Sequence, residues 1–161
     1  MSRFLKPLRC FMRDQINEAL KEAVKAKDSR KSSTLRLINA AIKDRDIAAR
    51  SSDNTEGVSD DEILEILSKM VKQRVESAET YKQANRQELV DQELEEIEII
   101  KSFLPRQLDE DESRAAVESV INDLQASGLK DMGRVMGELK VRYTGQMDFG
   151  KVSSIVKDLL G

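Results

Sequence analysis

The segment EIEIIKSFLPRQLDEDE, residues 96–112, contains both the end of one helical pattern and the start of the next. Its first half has apolar residues at helical intervals and predicts a helix that ends at Pro105, because the residue before a proline disfavours the α conformation. Asp109, followed three residues later by Glu112, is a capping box and predicts that a new helix begins there. Pro105 also separates longer helical patterns from shorter ones and is therefore the predicted domain boundary.

Four helical patterns precede this boundary, and three shorter ones follow it. The third of them opens with a second capping box, formed by Ser59 and Glu62. In the last part of the chain, Gly128 is the expected C-cap of the fifth helix, and Gly145 suits a left-handed turn between the last two. The first four patterns cover about 13–27, 31–50, 59–84 and 87–104.

Period-two alternation, which marks β-strands, is not sustained in any segment. The sequence therefore predicts an all-α fold, with an N-terminal four-helix domain over residues 12–105 followed by a small three-helix tail domain over residues 106–161. The first eleven residues, MSRFLKPLRCF, contain three cations and no acid but lack the apolar run of a signal peptide. We expect residues 1–11 to be a disordered leader, or translation to start at Met12; a basic presequence or a lipid-surface arm is the alternative.

Composition restricts the possible chemistry. The 161 residues are 39% hydrophobic, 35% charged and 4% aromatic, which is typical of helices with narrow apolar stripes. There is no histidine, so the usual proton shuttle and the commonest metal ligand are missing, and one cysteine, Cys10, cannot form an internal disulfide. We expect no cofactor, no metal and no catalytic residue. Since no apolar run approaches a membrane span, we also expect a cytoplasmic protein without a membrane partner.

Charge is unevenly distributed along the chain, although the net charge is only −3. Residues 13–50 hold ten Lys and Arg against six acids, whereas residues 88–112 hold ten acids against two cations. Arg36, Lys43 and Arg50 recur every seven residues and lie on one side of the second helix, where they would follow phosphates or, more commonly, form a solvated face. We expect the acids Glu93, Glu95, Glu96 and Glu98 to be exposed or to face this basic helix, not to bind a metal.

A repeated segment opens the last two helices. DMGRVMGELK (131–140) and DFGKVSSIVK (148–157) share Asp, a large apolar residue, Gly, a cation and Val. The two aspartates, Asp131 and Asp148, are expected N-caps that accept hydrogen bonds from first-turn amides. The glycine and the cation that follow are each slightly unfavourable in a first turn, by up to about 1 kcal/mol for glycine.

Three explanations compete for the repeated glycine and cation. Small residues allow close helix packing, and Gly133 and Gly137 lie on one face because they are four residues apart. The repeat can also be a relic of helix duplication. The third explanation is an anion site at a helix start, where first-turn amides and a cation converge. Local physics favours packing, with anion binding second.

Four segments identify a family resemblance: STLRLINAAIKDRDIAAR (33–50), residues 96–112, KDMGRVMGELK (130–140) and TGQMDFGKVSSIVKDLL (144–160). With them the chain resembles the YqeY family of small bacterial proteins, which is similar to the C-terminal region of GatB, a subunit of the tRNA-dependent amidotransferase. The resemblance covers nearly everything from Met12 to Gly161. It implies a helical domain with a three-helix tail that contacts tRNA, without the amidotransferase's catalytic cradle.

The resemblance and the repeat together predict a non-catalytic module that binds tRNA or structured RNA through its tail. An amidotransferase label, a carbon-nitrogen ligase reaction with glutamine as amido donor, would describe ancestry only, so we expect no enzyme. The alternative is a protein-interaction module that docks on an amidotransferase or synthetase partner in tRNA aminoacylation through Met132, Met136, Met147 and Phe149. The predicted RNA- or anion-binding residues are Lys130, Gly133, Arg134, Gly137, Lys140, Gly150 and Lys151.

Overall fold

The computed structural model describes residues 11–51 and 57–161. All regular secondary structure within these residues is helical. The predicted all-α fold is confirmed. Most of the predicted leader, including Cys10, lies outside the described residues, and Phe11, which the sequence placed in that leader, is the first residue of a helix. The helices are α1 (Phe11–Lys25), α2 (Ser29–Arg50), α3 (Asp60–Gln83), α4 (Gln87–Lys101), α5 (Glu110–Leu124), α6 (Met132–Tyr143) and α7 (Phe149–Leu160).

The chain divides into two compact units, one up to Phe103 and one from Leu104 to Gly161. The first contains α1–α4 and the second α5–α7, with a 3₁₀ turn, Leu129–Asp131, before α6. None of the described helices is long and apolar enough to cross a membrane.

Side-chain caps begin α3 and α5 where the sequence predicts them. Ser59 Oγ accepts a hydrogen bond from the Glu62 N–H at 3.2 Å, and the Asp109 carboxylate accepts one from the Glu112 N–H at 2.8 Å. Each bond satisfies an amide that has no partner inside its own helix, which is worth about 1 kcal/mol. The predicted N-caps at Ser59 and Asp109 are confirmed, whereas the Glu112 side chain accepts a hydrogen bond from Arg106.

The core of the N-terminal unit is aliphatic. The pair α3 and α4 is its most extensive helix packing, and α1 packs on α2. Burying one of these side chains contributes about 1.5–3 kcal/mol relative to leaving it exposed. The fully buried side chains are Ile16, Leu35, Ile38, Ile42, Ile63, Leu67 and Ile100.

The buried carboxylate of Glu96 links three helices of this unit. Glu96 of α4 is 8% exposed and lies 3.0 Å from Arg74 Nε of α3 and 3.7 Å from Arg30 Nη1 of α2. The prediction that part of the acidic block faces the basic helix is therefore confirmed at Glu96. Burial, followed by repulsion from Glu96, raises the pKa of the neighbouring Glu93. No group of acids or cysteines within 11–51 and 57–161 is arranged to hold a metal ion.

A second ion pair fixes the segment that leads into α3. The Arg13 guanidinium donates two hydrogen bonds to Asp46, at 2.9 and 3.0 Å, and Asp46 Oδ1 also accepts from the Val58 N–H at 2.9 Å. The Arg13 hydrogen bond holds the pKa of Asp46 below its usual value. Gly57 passes this carboxylate with φ of 85°, and a Cβ there would lie 3.0 Å from Asp46 Oδ1. Only glycine combines that conformation with that approach.

In the C-terminal unit, α5, α6 and α7 surround a small core of Val117, Val120, Val135, Leu139, Val152 and Val156. Gly145 has φ of 76°, which confirms the predicted left-handed turn. The predicted C-cap at Gly128 is wrong. Gln125 is the left-handed residue at the end of α5, with φ of 53°, while Gly128 is extended and precedes the 3₁₀ turn.

Candidate nucleic-acid interface

Helix α6 has an inward and an outward face. Val135 and Leu139 are fully buried on the inward side. Gly133 and Gly137 lie on the opposite side and are exposed, as are Lys140 and Val141. Since residues four apart on a helix share a face, the two glycines form a strip without side chains along the outward surface. We call this surface, with Lys130, Arg134 and Lys140 around it, the glycine strip.

The glycines are not there for close packing. A Cβ at Gly133 or at Gly137 would meet nothing within 4 Å outside the helix's own backbone. The packing explanation, which local physics favoured, is therefore wrong for this pair. What remains is a stretch of helix backbone that an external group can approach closely.

Two cations beside the strip are available for an external ligand. Lys130 and Lys140 are exposed, and neither forms an ion pair with another residue in the described part of the chain. Lys140 lies on the glycine side of α6, and Lys130 lies in the 3₁₀ turn that immediately precedes the helix. The structure therefore brings together four of the predicted site residues: Lys130, Gly133, Gly137 and Lys140.

Arg134, a fifth predicted residue, has an internal role. Its Nη2 lies 3.3 Å from Asp131 Oδ1 and donates a hydrogen bond to the Leu124 carbonyl at 3.2 Å. The guanidinium thus satisfies a carbonyl at the end of α5, where a cation is also favourable to the helix dipole. Its side chain is still 58% exposed, so it adds positive charge to the strip while it stays bound to the fold.

The predicted N-cap of α6 at Asp131 is wrong. This residue is the last of the 3₁₀ turn, has φ of −91° and ψ of −1°, and makes no side-chain cap hydrogen bond to the helix. Its carboxylate reaches backwards and accepts from the Ser127 N–H at 3.0 Å. That hydrogen bond lowers the pKa of Asp131, and Arg134 adds to the effect.

Asp148 does cap α7. It has extended backbone angles, and its carboxylate accepts from the Gly150 N–H at 2.9 Å. The amide at the predicted anion position is therefore already bound to a carboxylate, which also repels a second anion. Gly150 and Lys151 are both exposed, and Lys151 forms no ion pair with the described residues. At this helix start the lysine side chain, not the bare amide, is the group left for a phosphate.

The methionines proposed for docking mostly belong to the core. Met147 is 5% exposed, and Met132, Met136 and Phe149 are half-buried against the C-terminal core. Packing of this kind accounts for their number in so small a unit. Their partial burial leaves them little surface for a partner.

Sequence reasoning missed two exposed aliphatic residues, one on the outward face of α6 and one in the 3₁₀ turn before it. Leu129 is 57% exposed and Val141 is 78% exposed. Val141 follows Gly133 and Gly137 at an interval of four on α6, and this register is the signal that would have identified it, whereas Leu129 lies in the 3₁₀ turn before the helix. Arg142 is also cationic and nearby in sequence, but it is bound at 2.8 Å to both Asp123 and Glu138 and so joins α6 to α5.

Fold and surface together define a class: a small all-α protein whose C-terminal unit presents helix backbone and lysines to solvent. The family described as "Yqey-like protein" matches residues 13–160 of the chain. The chain therefore belongs to the YqeY family, and the resemblance stated from its sequence segments is confirmed.

Curated relatives carry the name "Altered inheritance of mitochondria protein 41, mitochondrial". The protein from Lachancea thermotolerans is 34% identical over 114 residues, 70% of this chain and 59% of its own length. The protein from Clavispora lusitaniae is 30% identical over 146 residues, 88% of this chain and 80% of its own. The protein from Vanderwaltozyma polyspora is 30% identical over 117 residues, 68% of this chain and 58% of its own. The chain thus spans less than two thirds of the length of the first and third of these.

These names correct one prediction. We expected a plainly cytoplasmic protein, because no segment resembles a signal peptide or a membrane span. Relatives that match most of this chain are named as mitochondrial proteins, so that prediction is wrong. It rested on the absence of export signals, and such an absence does not distinguish the cytoplasm from the inside of an organelle.

Proposed function

We propose that this YqeY-family protein is a non-catalytic module whose C-terminal unit binds the phosphate backbone of a structured RNA, with tRNA as the expected class. One observation carries the proposal: Lys130 and Lys140 are unpaired among the described residues and lie beside Gly133 and Gly137, whose Cβ positions open onto empty space. A phosphate backbone can approach this helix face without meeting a side chain. The resemblance of the sequence to the C-terminal region of GatB supports tRNA as the first candidate.

The dimensions suit separate phosphates. Gly133 and Lys140 are seven residues apart on α6, so the helical rise puts their Cα atoms about 10.5 Å from one another, and Lys130 lies beyond Gly133 in the 3₁₀ turn. Lysines act as point charges on phosphates and carry no base specificity. Only 4% of the chain is aromatic, and the strip itself has no aromatic side chain on which bases could stack. We therefore propose recognition of RNA shape and charge.

The proposed contact differs from the one first drawn from the sequence. The Asp148 carboxylate already holds the Gly150 amide, and Arg134 is engaged by Asp131 and Leu124. The lysine ammonium groups are thus the main phosphate ligands in this proposal. The glycines act by leaving room, and Lys151 adds a further cation on α7.

A salt-titrated binding assay with tRNA tests the proposal. Lys130→Gln with Lys140→Gln should weaken binding and reduce the dependence of log affinity on log salt by about 2, because each lysine on a phosphate releases about one counterion. The matched control, Lys25→Gln with Lys82→Gln, removes the same charge from exposed positions in the N-terminal unit. Because the curated relatives are named as mitochondrial, the RNA panel should include mitochondrial as well as bacterial tRNAs.

A variant that leaves the charge unchanged tests whether the open surface of the glycine strip is needed for RNA binding. Gly137→Leu places a side chain on the open surface and should weaken RNA binding at all salt concentrations, while the salt slope stays nearly unchanged. Equal affinities for wild type, the lysine variant and Gly137→Leu would contradict RNA binding at this surface.

A second candidate is docking of a partner protein on the same surface. Val141 at 78% exposure and Leu129 at 57% favour it, because large exposed aliphatic residues beside small ones suit a partner helix. Val141→Ser separates the two functions. It should leave tRNA affinity unchanged and weaken protein docking, whereas the lysine variant should affect RNA more strongly.

A further inference from the structure

The outward face of α2 combines positive charge with exposed aliphatic side chains. Arg36, Lys43 and Arg50 are exposed, recur every seven residues, and form no ion pair with any residue in 11–51 or 57–161. Between the last two lies Ile47, which is 55% exposed. We call this surface the basic face, with Ala40 as its remaining member.

The outward face of α4 has the opposite charge and a similar layout. Asp91 and Glu98 are exposed, seven residues apart, and without an ion pair among the described residues. Leu94 lies between them and is 49% exposed. Glu95 belongs to this acidic face too, although it already pairs with Arg30 at 3.2 Å.

We propose that the basic face of one copy of this chain docks on the acidic face of a second copy. Seven residues of α-helix span about 10.5 Å, so the cations of α2 and the acids of α4 repeat at the same distance along their helices. Two such helices laid side by side bring opposite charges together at successive repeats, as the flanking positions of coiled coils do. The same alignment places the exposed aliphatic residues of both faces, Ile47 and Leu94, in the contact.

The composition of the faces favours a protein partner over the alternatives. Nucleic-acid interfaces are strongly positive and polar, and Ile47, between Lys43 and Arg50, contributes nothing to phosphate binding. An anionic membrane would accept the cations and the aliphatic side chain, but it would leave the matched acidic face unused. A second copy satisfies both faces with the spacing that each one has.

The proposed contact has a definite symmetry and strength. The two faces differ, so the interface is heterologous, and the pair as a whole keeps one free basic face on one copy and one free acidic face on the other. One helix pair buries less than the roughly 1,200–2,000 Å² of a stable complex, so association is weak and forms short chains or rings at high concentration. Exposed charges dominate it, and salt should therefore disperse it.

Sedimentation velocity of two complementary variants tests the proposal. The first, Arg36→Gln with Lys43→Gln, removes two of the three cations of the basic face and keeps the acidic face; the second, Asp91→Asn with Glu98→Gln, removes the two unpaired acids of the acidic face and keeps the basic one. Wild type should associate at about millimolar concentration in about 0.01 M salt and dissociate in about 0.5 M salt. Each variant alone should be monomeric, and an equal mixture of the two should form a 1:1 dimer that grows no further.

Control variants carry the same charge changes elsewhere. Lys25→Gln with Lys82→Gln matches the first variant, and Glu118→Gln with Asp158→Asn matches the second; both should associate as wild type does. A wild type that stays monomeric at low salt overturns the proposal, as does an equal mixture that remains monomeric. Monomeric wild type that binds vesicles containing anionic lipid, with binding lost in the first variant, overturns it in favour of a membrane surface.

Discussion

The starts of α6 and α7 have nearly the same sequence and different structures. Both begin with Asp, a large apolar residue, Gly, a cation and Val. At α7, Asp148 caps its own helix through the Gly150 amide. At α6, a 3₁₀ turn precedes the helix, and Asp131 bonds to Ser127 behind it. The two repeats therefore agree in the residues that face the core and differ in the local geometry of the cap.

The difference follows from what precedes each aspartate. A left-handed residue at Gly145 lies three positions before Asp148, and the chain enters α7 in an extended conformation that suits a cap. Before Asp131, residues 129–131 already form a helical turn, so the aspartate has αR angles and cannot aim at the amides ahead of it. A capping residue requires extended backbone angles, and the connecting segment decides whether it has them.

Truncating the buried residues that the two repeats share should have the largest effect on the free energy of unfolding. Leu139 and Val156 occupy the same position in the two repeats, and both are fully buried. Leu139→Ala should lower the free energy of unfolding by about 3 kcal/mol and Val156→Ala by about 2 kcal/mol, because each leaves a cavity in a small core. Urea unfolding followed by circular dichroism measures both. A loss below about 1 kcal/mol in either variant would show that its helix is not held by this core.

The fold was predictable to the extent that it depends on apolar spacing and on caps within one helix. The starts of α3 and α5 follow from Ser59–Glu62 and Asp109–Glu112, pairs that lie within four residues of one another. The end of α5 did not follow, because Gln125 takes the left-handed conformation that the sequence assigned to Gly128. Glycine favours that conformation but does not compel it, and the packing of the unit decides which residue adopts it.

The candidate site was predictable as a set of residues and not as a set of contacts. Helical period alone places Gly133, Gly137 and Lys140 on one face. That the face is open, and that Arg134 binds the Leu124 carbonyl, depends on where α5 lies, which one-dimensional spacing does not contain. The buried pair of Glu96 and Arg74 joins residues 22 positions apart, and its partner choice is a property of the folded unit in the same way.

Removing the N-cap of α7 should lower the free energy of unfolding less than truncating a core side chain does. Asp148→Ala should destabilise the protein by about 1 kcal/mol, because the Gly150 amide loses its acceptor at the helix start. Asp148→Asn should recover most of that loss, since asparagine is an equally good cap. Equilibrium unfolding near neutral pH checks both variants. Equal stability of Asp148→Ala and wild type would mean that the α7 cap contributes nothing and that the two helix starts are energetically alike.

The contribution of Asp131 to the free energy of unfolding should depend on pH. The pKa of Asp131 is lowered in the folded state, chiefly by the Ser127 N–H, so its charged form stabilises the fold above the unfolded pKa of about 3.9. That contribution should fade as pH falls through the lowered folded value. Asp131→Asn keeps an acceptor but not the charge, and its deficit in unfolding free energy relative to wild type should shrink between about pH 6 and about pH 2.

The exposed Asp158 on α7 provides the control, because it forms no ion pair or hydrogen bond with the described residues. Asp158→Asn should track wild type more closely than Asp131→Asn does across the same pH range. A deficit of Asp131→Asn that is constant with pH would mean that the Ser127 bond does not depend on charge. The contrast between the α6 and α7 starts would then rest on backbone geometry alone, because the carboxylate at α6 would be replaceable by any neutral acceptor.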